Sequence, residues 1–116
     1  MSEAKPERWA IDAGDSAEAL LDIPPDAQRD RRFEVAIALA VRCPAELDGA
    51  WLELQVLANG NQQWRRRIAA SNPGHSDGLD YRFARTVPVG EPLRVLAKVA
   101  VRGVRRERVV IEAEEV

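Results

Sequence analysis

The stretch that decides the fold is FEVAIALAVR, residues 33–42. Its large apolar side chains recur at every second position, with alanine or charged residues between them. Successive side chains of a strand point to opposite faces, whereas a helix would scatter these large side chains around its circumference. The β-branched residues among them also favour a strand. The sequence therefore predicts a strand whose core face is formed by Phe33, Val35, Ile37, Leu39 and Val41.

The same alternation continues towards the carboxyl terminus. Asn59-Gly60 follows the apolar segment AWLELQVLA and suits a two-residue type I′ turn, so residues 61–69 are predicted to fold back as a hairpin partner. In that partner Arg65 and Arg67 should face water, and Arg66 should lie on the inner side of an edge strand. The inward-facing side chains predicted after residue 50 are Leu52, Leu54, Val56, Trp64, Ile68, Leu79, Tyr81, Phe83, Val87, Leu93, Val95, Ala97, Val99, Val101, Val109, Ile111 and Ala113.

The spacing of strands and turns predicts an all-β fold. The segment SNPGHSDG, residues 71–78, is rich in turn-forming residues and is interpreted as a loop. Residues 19–23 are interpreted as a strand in preference to a short capped helix that begins after Asp15 or Ser16. About seven strands at regular intervals indicate an antiparallel β-sandwich of two sheets, with an immunoglobulin-like or fibronectin-III-like topology.

The length of 116 residues predicts a single domain with one core. Residues 1–14 are predicted to form a flexible or docking N-terminal arm, since Trp9 and Ile11 are apolar anchors in an otherwise polar segment. Residues 15–116 are then the β-sandwich domain.

Several classes of protein are disfavoured by composition. The longest apolar run, residues 35–41, is too short to span a bilayer, and the start of the sequence lacks an apolar signal segment. The sequence therefore predicts no membrane association and a cytoplasmic location. With one cysteine, Cys43, and one histidine it also predicts neither an internal disulfide nor a structural zinc site, and no cofactor is expected.

The charge is unevenly distributed along the chain. Residues 1–58 hold 6 Lys/Arg and 12 Asp/Glu, whereas residues 59–116 hold 11 and 7. Arg94, Lys98 and Arg102 recur every four residues and share one strand face, beside which the last strand is expected to add further arginines. Cross-strand pairing with glutamates could neutralise this face; otherwise it suits anionic partners. The predicted binding residues are Trp51, Arg94, Lys98, Arg102, Arg106 and Arg108.

The preferred function is a non-enzymatic binding module that recognises a protein partner or an acidic surface through this arginine-rich face. Nucleic acid is a weaker hypothesis, because only 5% of the residues are aromatic and stacking platforms are needed to bind unpaired bases.

Two other functional classes remain open. Ser71, His75, Ser76 and Asp77 combine a hydroxyl, an imidazole and a carboxylate, which suggests a small hydrolase or a metal-dependent enzyme around residues 71–80. Neighbouring residues on a loop rarely converge as a catalytic triad requires, so no catalytic or metal-binding residue is assigned. The third class is a structural domain that self-associates, for example as a homodimer through an edge strand.

One further feature is the alanine stripe, defined as Ala36, Ala38 and Ala40 on the second face of the first long strand. An exposed strand would usually carry polar residues at these positions. The sequence therefore suggests that something covers the stripe: first the N-terminal segment, and second a dimer partner. A bare alanine surface is the remaining interpretation.

Overall fold

The computed structural model describes residues 5–116; residues 1–4 of the predicted N-terminal arm lie outside the described part. Eight β-strands and no helix are found in residues 5–116, so none of these segments is a helix that could cross a membrane. The strands are β1 (Arg8–Asp12), β2 (Glu18–Ile23), β3 (Arg31–Arg42), β4 (Trp51–Ala58), β5 (Asn61–Ala69), β6 (Ser76–Val87), β7 (Leu93–Arg102) and β8 (Arg105–Glu115).

The strands form two four-stranded antiparallel sheets. The first sheet has the order β1-β8-β3-β6, and the second has the order β2-β7-β4-β5. Only the β4–β5 connection joins neighbouring strands of one sheet; every other connection between consecutive strands crosses from one sheet to the other. The predicted all-β antiparallel sandwich is therefore confirmed.

The strand order is that of a jelly roll rather than of an immunoglobulin domain. In an immunoglobulin sandwich the last two strands are neighbours in one sheet, but here β7 lies between β2 and β4 while β8 lies between β1 and β3. The short connection at Gly103, which has a φ of 70°, carries the chain across the end of the sandwich. Alternation within each strand is the same in both topologies, so it could not distinguish them.

The core lies between the two sheets and follows the predicted alternation. The five inward residues of β3 are at most 4% exposed, and Leu52, Leu54 and Val56 of β4 are fully buried. The residues predicted to face inward on the edge strands β5 and β6 pack against this core, and some of them are only half-buried. Asn59 and Gly60 both have positive φ, as the predicted hairpin turn requires.

Aromatic side chains close one side of the sandwich, where the edge strands β5 and β6 face each other. The indole of Trp64 stacks on the Tyr81 ring, with 4.7 Å between centroids and 7° between planes. Phe83 continues the row at 5.9 Å from Tyr81. Arg66 lies between these inward residues on β5, and its side chain is exposed, as expected of an edge strand.

The N-terminal segment contributes an eighth strand instead of covering the alanine stripe. β1 pairs with β8 along its whole length, and Trp9 and Ile11 pack against the core. Residues 18–23 form β2, so the strand interpretation of this region is confirmed and no helix is present there.

The loop predicted at residues 71–78 is shorter than expected, because β6 already begins at Ser76. Gly78 pairs with Ala40 of β3. A Cβ atom at Gly78 would lie 2.6 Å from the carbonyl oxygen of Leu39, a backbone atom that cannot move without disturbing the sheet. The glycine is thus required by close packing of the two strands.

Replacing Gly78 with alanine should lower the free energy of unfolding by about 1–3 kcal/mol, because the new methyl group pushes against the β3 backbone. Urea denaturation measures the loss. Ala84→Ser, an exposed change in the same strand, serves as the control and should shift stability by less than about 0.5 kcal/mol. Equal stability of both variants would show that β6 has room for a side chain at this position.

Charged side chains tie the two chain ends together at one end of the sandwich. Arg31 is buried, and its guanidinium donates to Oε1 of Glu7 at 2.9 Å and to the Pro24 carbonyl oxygen at 2.8 Å. Arg29 pairs with Glu7 at 2.8 Å and also with Glu115. The network therefore connects the segment before β1, the β2–β3 connection and the end of β8.

This network makes stability depend on pH. Hydrogen bonding from Arg29 holds the pKa of Glu115 below its ordinary value. A depressed folded-state pKa stabilises the protein above the ordinary pKa, and this contribution is lost as pH falls through the folded-state value. The thermal midpoint should therefore drop below about pH 4.3. The drop of the thermal midpoint at acid pH should be smaller in Glu115→Gln, whereas the exposed-loop variant Glu91→Gln should keep it in full. If the unaltered protein and both variants show the same dependence of thermal midpoint on pH, the assignment to Glu115 is wrong.

Candidate binding surface

The structure divides the six predicted binding residues between the two sheets. Trp51 of β4 and Arg94, Lys98 and Arg102 of β7 lie on the outer face of the second sheet. Arg106 and Arg108 belong to β8, in the first sheet. The expectation that the last strand would lie beside β7 is not met, because the β7–β8 connection crosses between the sheets.

The two arginines of β8 make local contacts. Arg108 pairs with Asp12 at 2.8 Å, and the Nε atom of Arg106 donates to the Asp15 carbonyl oxygen at 2.8 Å. The backbone N–H of Gly14 and the Arg108 side chain hold the pKa of Asp12 below its ordinary value. Both arginines therefore hold the β1–β2 connection in place.

The cations of β7 differ in their partners. Arg94 lies opposite Asp22 of β2 and pairs with it at 3.0 Å, with both side chains well exposed. Lys98 lies between Glu18 and Gln55 in the register and forms no ion pair within residues 5–116. Since exposed pairs contribute little stability, the Arg94–Asp22 pair mainly reduces the positive potential at that end of the strand.

Several cations lie beside Trp51 on the outer face of the second sheet. The guanidinium carbon of Arg67 lies 3.7 Å from the centroid of the Trp51 ring system, and Arg102 is the register partner of Trp51 on β7. Arg65 and Arg67 share one carboxylate, Glu53, at 3.2 Å each. We name this surface the Trp51 patch and define it as Trp51, Arg65, Arg67, Lys98 and Arg102.

Two members of the patch, Arg65 and Arg67, were predicted only to face water. Their position follows from the β4–β5 register, which places Arg67 opposite Glu53 and Ala69 opposite Trp51. A two-residue turn at Asn59-Gly60 would by itself place Arg66 opposite Glu53, but a β-bulge between Val56 and Leu57 shifts the register by one residue. The bulge therefore brings Arg65 and Arg67 to the same face as Trp51, a position that counting back from the turn does not predict.

The patch carries more positive than negative charge. Four of its members are cations, and Glu53 is the one carboxylate paired with any of them within residues 5–116. Glu18, beside Lys98, is the other carboxylate at its margin. Guanidinium groups present fixed forks of donors that match carboxylate oxygens, so the surface is suited to binding carboxylates.

The outer face of the first sheet carries a shallow groove. Ala36 and Ala38 lie in its floor, and neighbouring depressions of about 470 and 320 Å³ extend between charged side chains such as Arg82 and Glu112. The alanine stripe is thus uncovered by any segment of residues 5–116, contrary to the expectation that the N-terminal segment lies on it.

The side chains between residues 71 and 80 shape the backbone. Asp77 accepts hydrogen bonds from the backbone N–H groups of Ser71 and Gly78 at 3.0 and 2.9 Å, and Asn72 donates to the Ser76 carbonyl oxygen at 3.2 Å. Within the described chain, no side-chain hydrogen bond joins His75 to its neighbours, and no three potential metal ligands cluster. The described residues of this loop therefore offer no convergent set of side chains that would support the hydrolase or metal-enzyme hypothesis.

Comparison with known proteins adds information on the fold. No protein-family model matches the chain, and no curated protein matches its sequence. Dimeric latent PorU from Porphyromonas gingivalis is similar in structure, with a TM-score of 0.53 and 14% identity over 92% of this chain and 10% of that chain. The VP2 subviral particle of infectious bursal disease virus gives a TM-score of 0.55 and 10% identity over 97% and 33%.

This chain therefore spans between a tenth and a third of the two chains it resembles. At such low identity the likeness concerns the β-sandwich architecture alone.

Proposed function

We propose that this protein is a non-enzymatic binding module that recognises an acidic segment of a protein partner through the Trp51 patch. The observation that carries the proposal is the arrangement of Arg67 over the Trp51 ring, with Arg102 on the other side of Trp51 in the register. The indole thus holds one guanidinium in place and lies beside a second.

The arrangement favours carboxylates for two reasons. Contact with the ring orders the Arg67 side chain before binding, which lowers the entropic cost of forming new hydrogen bonds. Arg65 and Arg67 also share the single carboxylate of Glu53, so donors remain for an incoming acidic group. Glutamate or aspartate side chains of a partner would satisfy them as charge-assisted hydrogen bonds.

A protein partner is favoured over nucleic acid by the aromatic content of the patch. Binding of unpaired bases requires free aromatic faces for stacking. The patch holds one aromatic residue, Trp51, and Arg67 covers one face of its ring. The proposal also places the module in the cytoplasm, supported by the single cysteine, Cys43, since disulfides are rare in that compartment.

The test uses a synthetic polyglutamate peptide as the probe and isothermal titration calorimetry as the measurement. Arg102→Glu should weaken binding at least about tenfold, because it removes a donor and places a like charge against the peptide. Raising the salt concentration should weaken binding by the unaltered protein as well. Failure of the unaltered protein to bind the peptide at low salt would overturn the proposal.

Arg32→Glu is the matched control, since it makes the same change of charge at an exposed site on the first sheet. Its affinity for polyglutamate should stay within about threefold of the unaltered protein. If Arg32→Glu and Arg102→Glu lose affinity equally, binding follows net charge and the Trp51 patch is not the site.

A further inference from the structure

We propose that the outer face of the first sheet binds the same face of a second copy of this chain, forming a two-fold symmetric dimer. This interface is separate from the Trp51 patch, which lies on the other sheet. It also differs from the edge-strand dimer suggested by the sequence, because the sheets would pack face to face.

The first argument is the distribution of charge along β3 and β8. On β3, Glu34 and Arg42 are equally distant from Ala38 in sequence and carry opposite charges. On β8, Glu112 and Arg108 are likewise equally distant from Val110. Ala38 and Val110 are register partners. The Ala38–Val110 row therefore lies midway between one acidic and one basic residue on each of the two strands.

This arrangement is self-complementary along β3 and β8, whereas Asp12 of β1 and Asp80 of β6, which lie in the same row, would each face their own copy. A two-fold axis that runs across the strands at the Ala38–Val110 row would lay each strand antiparallel over its own copy. Glu34 of one chain then faces Arg42 of the other, and Glu112 faces Arg108. Each of these contacts occurs twice, which gives four pairs of opposite charges across the interface; in two of them Arg108 would be shared with Asp12 of its own chain.

The second argument is the presence of like charges side by side in the single chain. Glu34 lies directly opposite Glu114 of β8, and Arg42 lies directly opposite Arg105. Like charges at opposed positions destabilise a sheet. Glu114 is paired with Arg8, but Glu34 and Arg42 form no ion pair within residues 5–116. A second copy would supply the missing opposite charge to both.

The third argument concerns shape and size. The alanines at positions 36 and 38 leave space in the middle of the face for side chains of the facing sheet. Nine residues of β8, β3 and β6 and the five residues of β1, with strands about 4.8 Å apart, cover about 450 Å² per copy. This area is near the lower limit for specific interfaces, in the range of weak and transient complexes.

A ligand of one charge sign fits the face poorly. Glu34, Glu112 and Glu114 lie at one end, with Arg8 and Arg82 beside them, whereas Arg42, Arg105 and Arg108 lie at the other. A polyanion would be attracted to one end and repelled from the other, whereas a second copy in the antiparallel orientation meets both ends with the opposite charge.

The experiment is analytical ultracentrifugation of the full chain and its charge variants. The unaltered protein should show a sedimentation coefficient that rises across the micromolar range and falls when salt is added. Glu34→Arg and Arg42→Glu should each weaken self-association by at least about tenfold, because two like-charge contacts replace two attractive ones. The double variant should regain self-association with the charges exchanged.

Mixing the two single variants gives the sharpest result. The Glu34→Arg chain carries arginine at both positions and the Arg42→Glu chain carries glutamate at both, so the pair should form a heterodimer although neither forms a homodimer. Both substitutions place an opposite charge beside Glu114 or Arg105, so thermal midpoints should stay close to that of the unaltered protein.

Two results would overturn the proposal. One is an unaltered protein that stays monomeric over the whole concentration range; the other is single variants that self-associate as strongly as the unaltered protein, as an edge-strand dimer would. Arg102→Glu should dimerise normally, so loss of peptide binding and loss of dimerisation are distinguished by different variants.

Discussion

Replacing Phe33 with alanine should lower the free energy of unfolding by about 3–5 kcal/mol. Phe33 is the largest of the fully buried side chains, and it lies at the start of β3, the central strand that pairs with both β6 and β8. Removing the ring loses its transfer free energy and leaves a cavity that a two-sheet core cannot readily close. A change of this size is a large fraction of the stability of a small domain.

The measurement is equilibrium denaturation in urea, with circular dichroism as the signal. Phe33→Leu keeps most of the volume and should cost less than about 1.5 kcal/mol. Arg32→Ala, the next residue on the opposite face of β3, should change stability by less than about 0.5 kcal/mol. Similar losses at positions 32 and 33 would contradict the assignment of the core face.

The second large effect is expected at Arg31. Arg31→Ala should cost about 3 kcal/mol, because it removes the buried guanidinium that connects Glu7 with the Pro24 carbonyl oxygen and leaves these acceptors without that donor. The side chain also lies over the Phe33 ring, with the guanidinium carbon 5.4 Å from its centroid. Its loss therefore opens the end of the core as well.

Arg31→Met separates the electrostatic from the packing contribution. The Nε atom of Arg31 is buried without a hydrogen-bond partner, and Glu7 keeps its pair with Arg29 in either variant. A methionine of similar length should therefore be less destabilising than alanine. Thermal and urea unfolding of both variants measure the difference, and a methionine variant as unstable as the alanine variant would show that the ion pair itself dominates.

The two proposed interfaces use opposite faces of one sandwich. The Trp51 patch lies on the second sheet, and the proposed dimer face lies on the first. In such a dimer the two Trp51 patches would point away from each other, so an acidic partner with two binding segments could engage both copies. Linked binding of this kind raises affinity without any new contact, provided that the partner spans the distance.

Local sequence chemistry determined the strands and the faces they bury. The alternation in FEVAIALAVR predicted the inner face of β3, and Asn59-Gly60 predicted the β4–β5 hairpin, because side-chain direction and turn geometry depend on neighbouring residues alone. The exposed position of Arg66 on an edge strand followed from the same pattern.

Tertiary structure decided which strands became neighbours. The alternation of side chains does not indicate that β8 lies in the first sheet, away from β7. Arg106 and Arg108 were therefore expected beside Arg102 and instead lie in the other sheet. Contacts between segments far apart in the chain likewise decide three other features: the strand pairing of the N-terminal segment, the burial of Arg31 and the need for glycine at position 78. The period of two is a property of each strand by itself, whereas strand order depends on how all the segments share one core.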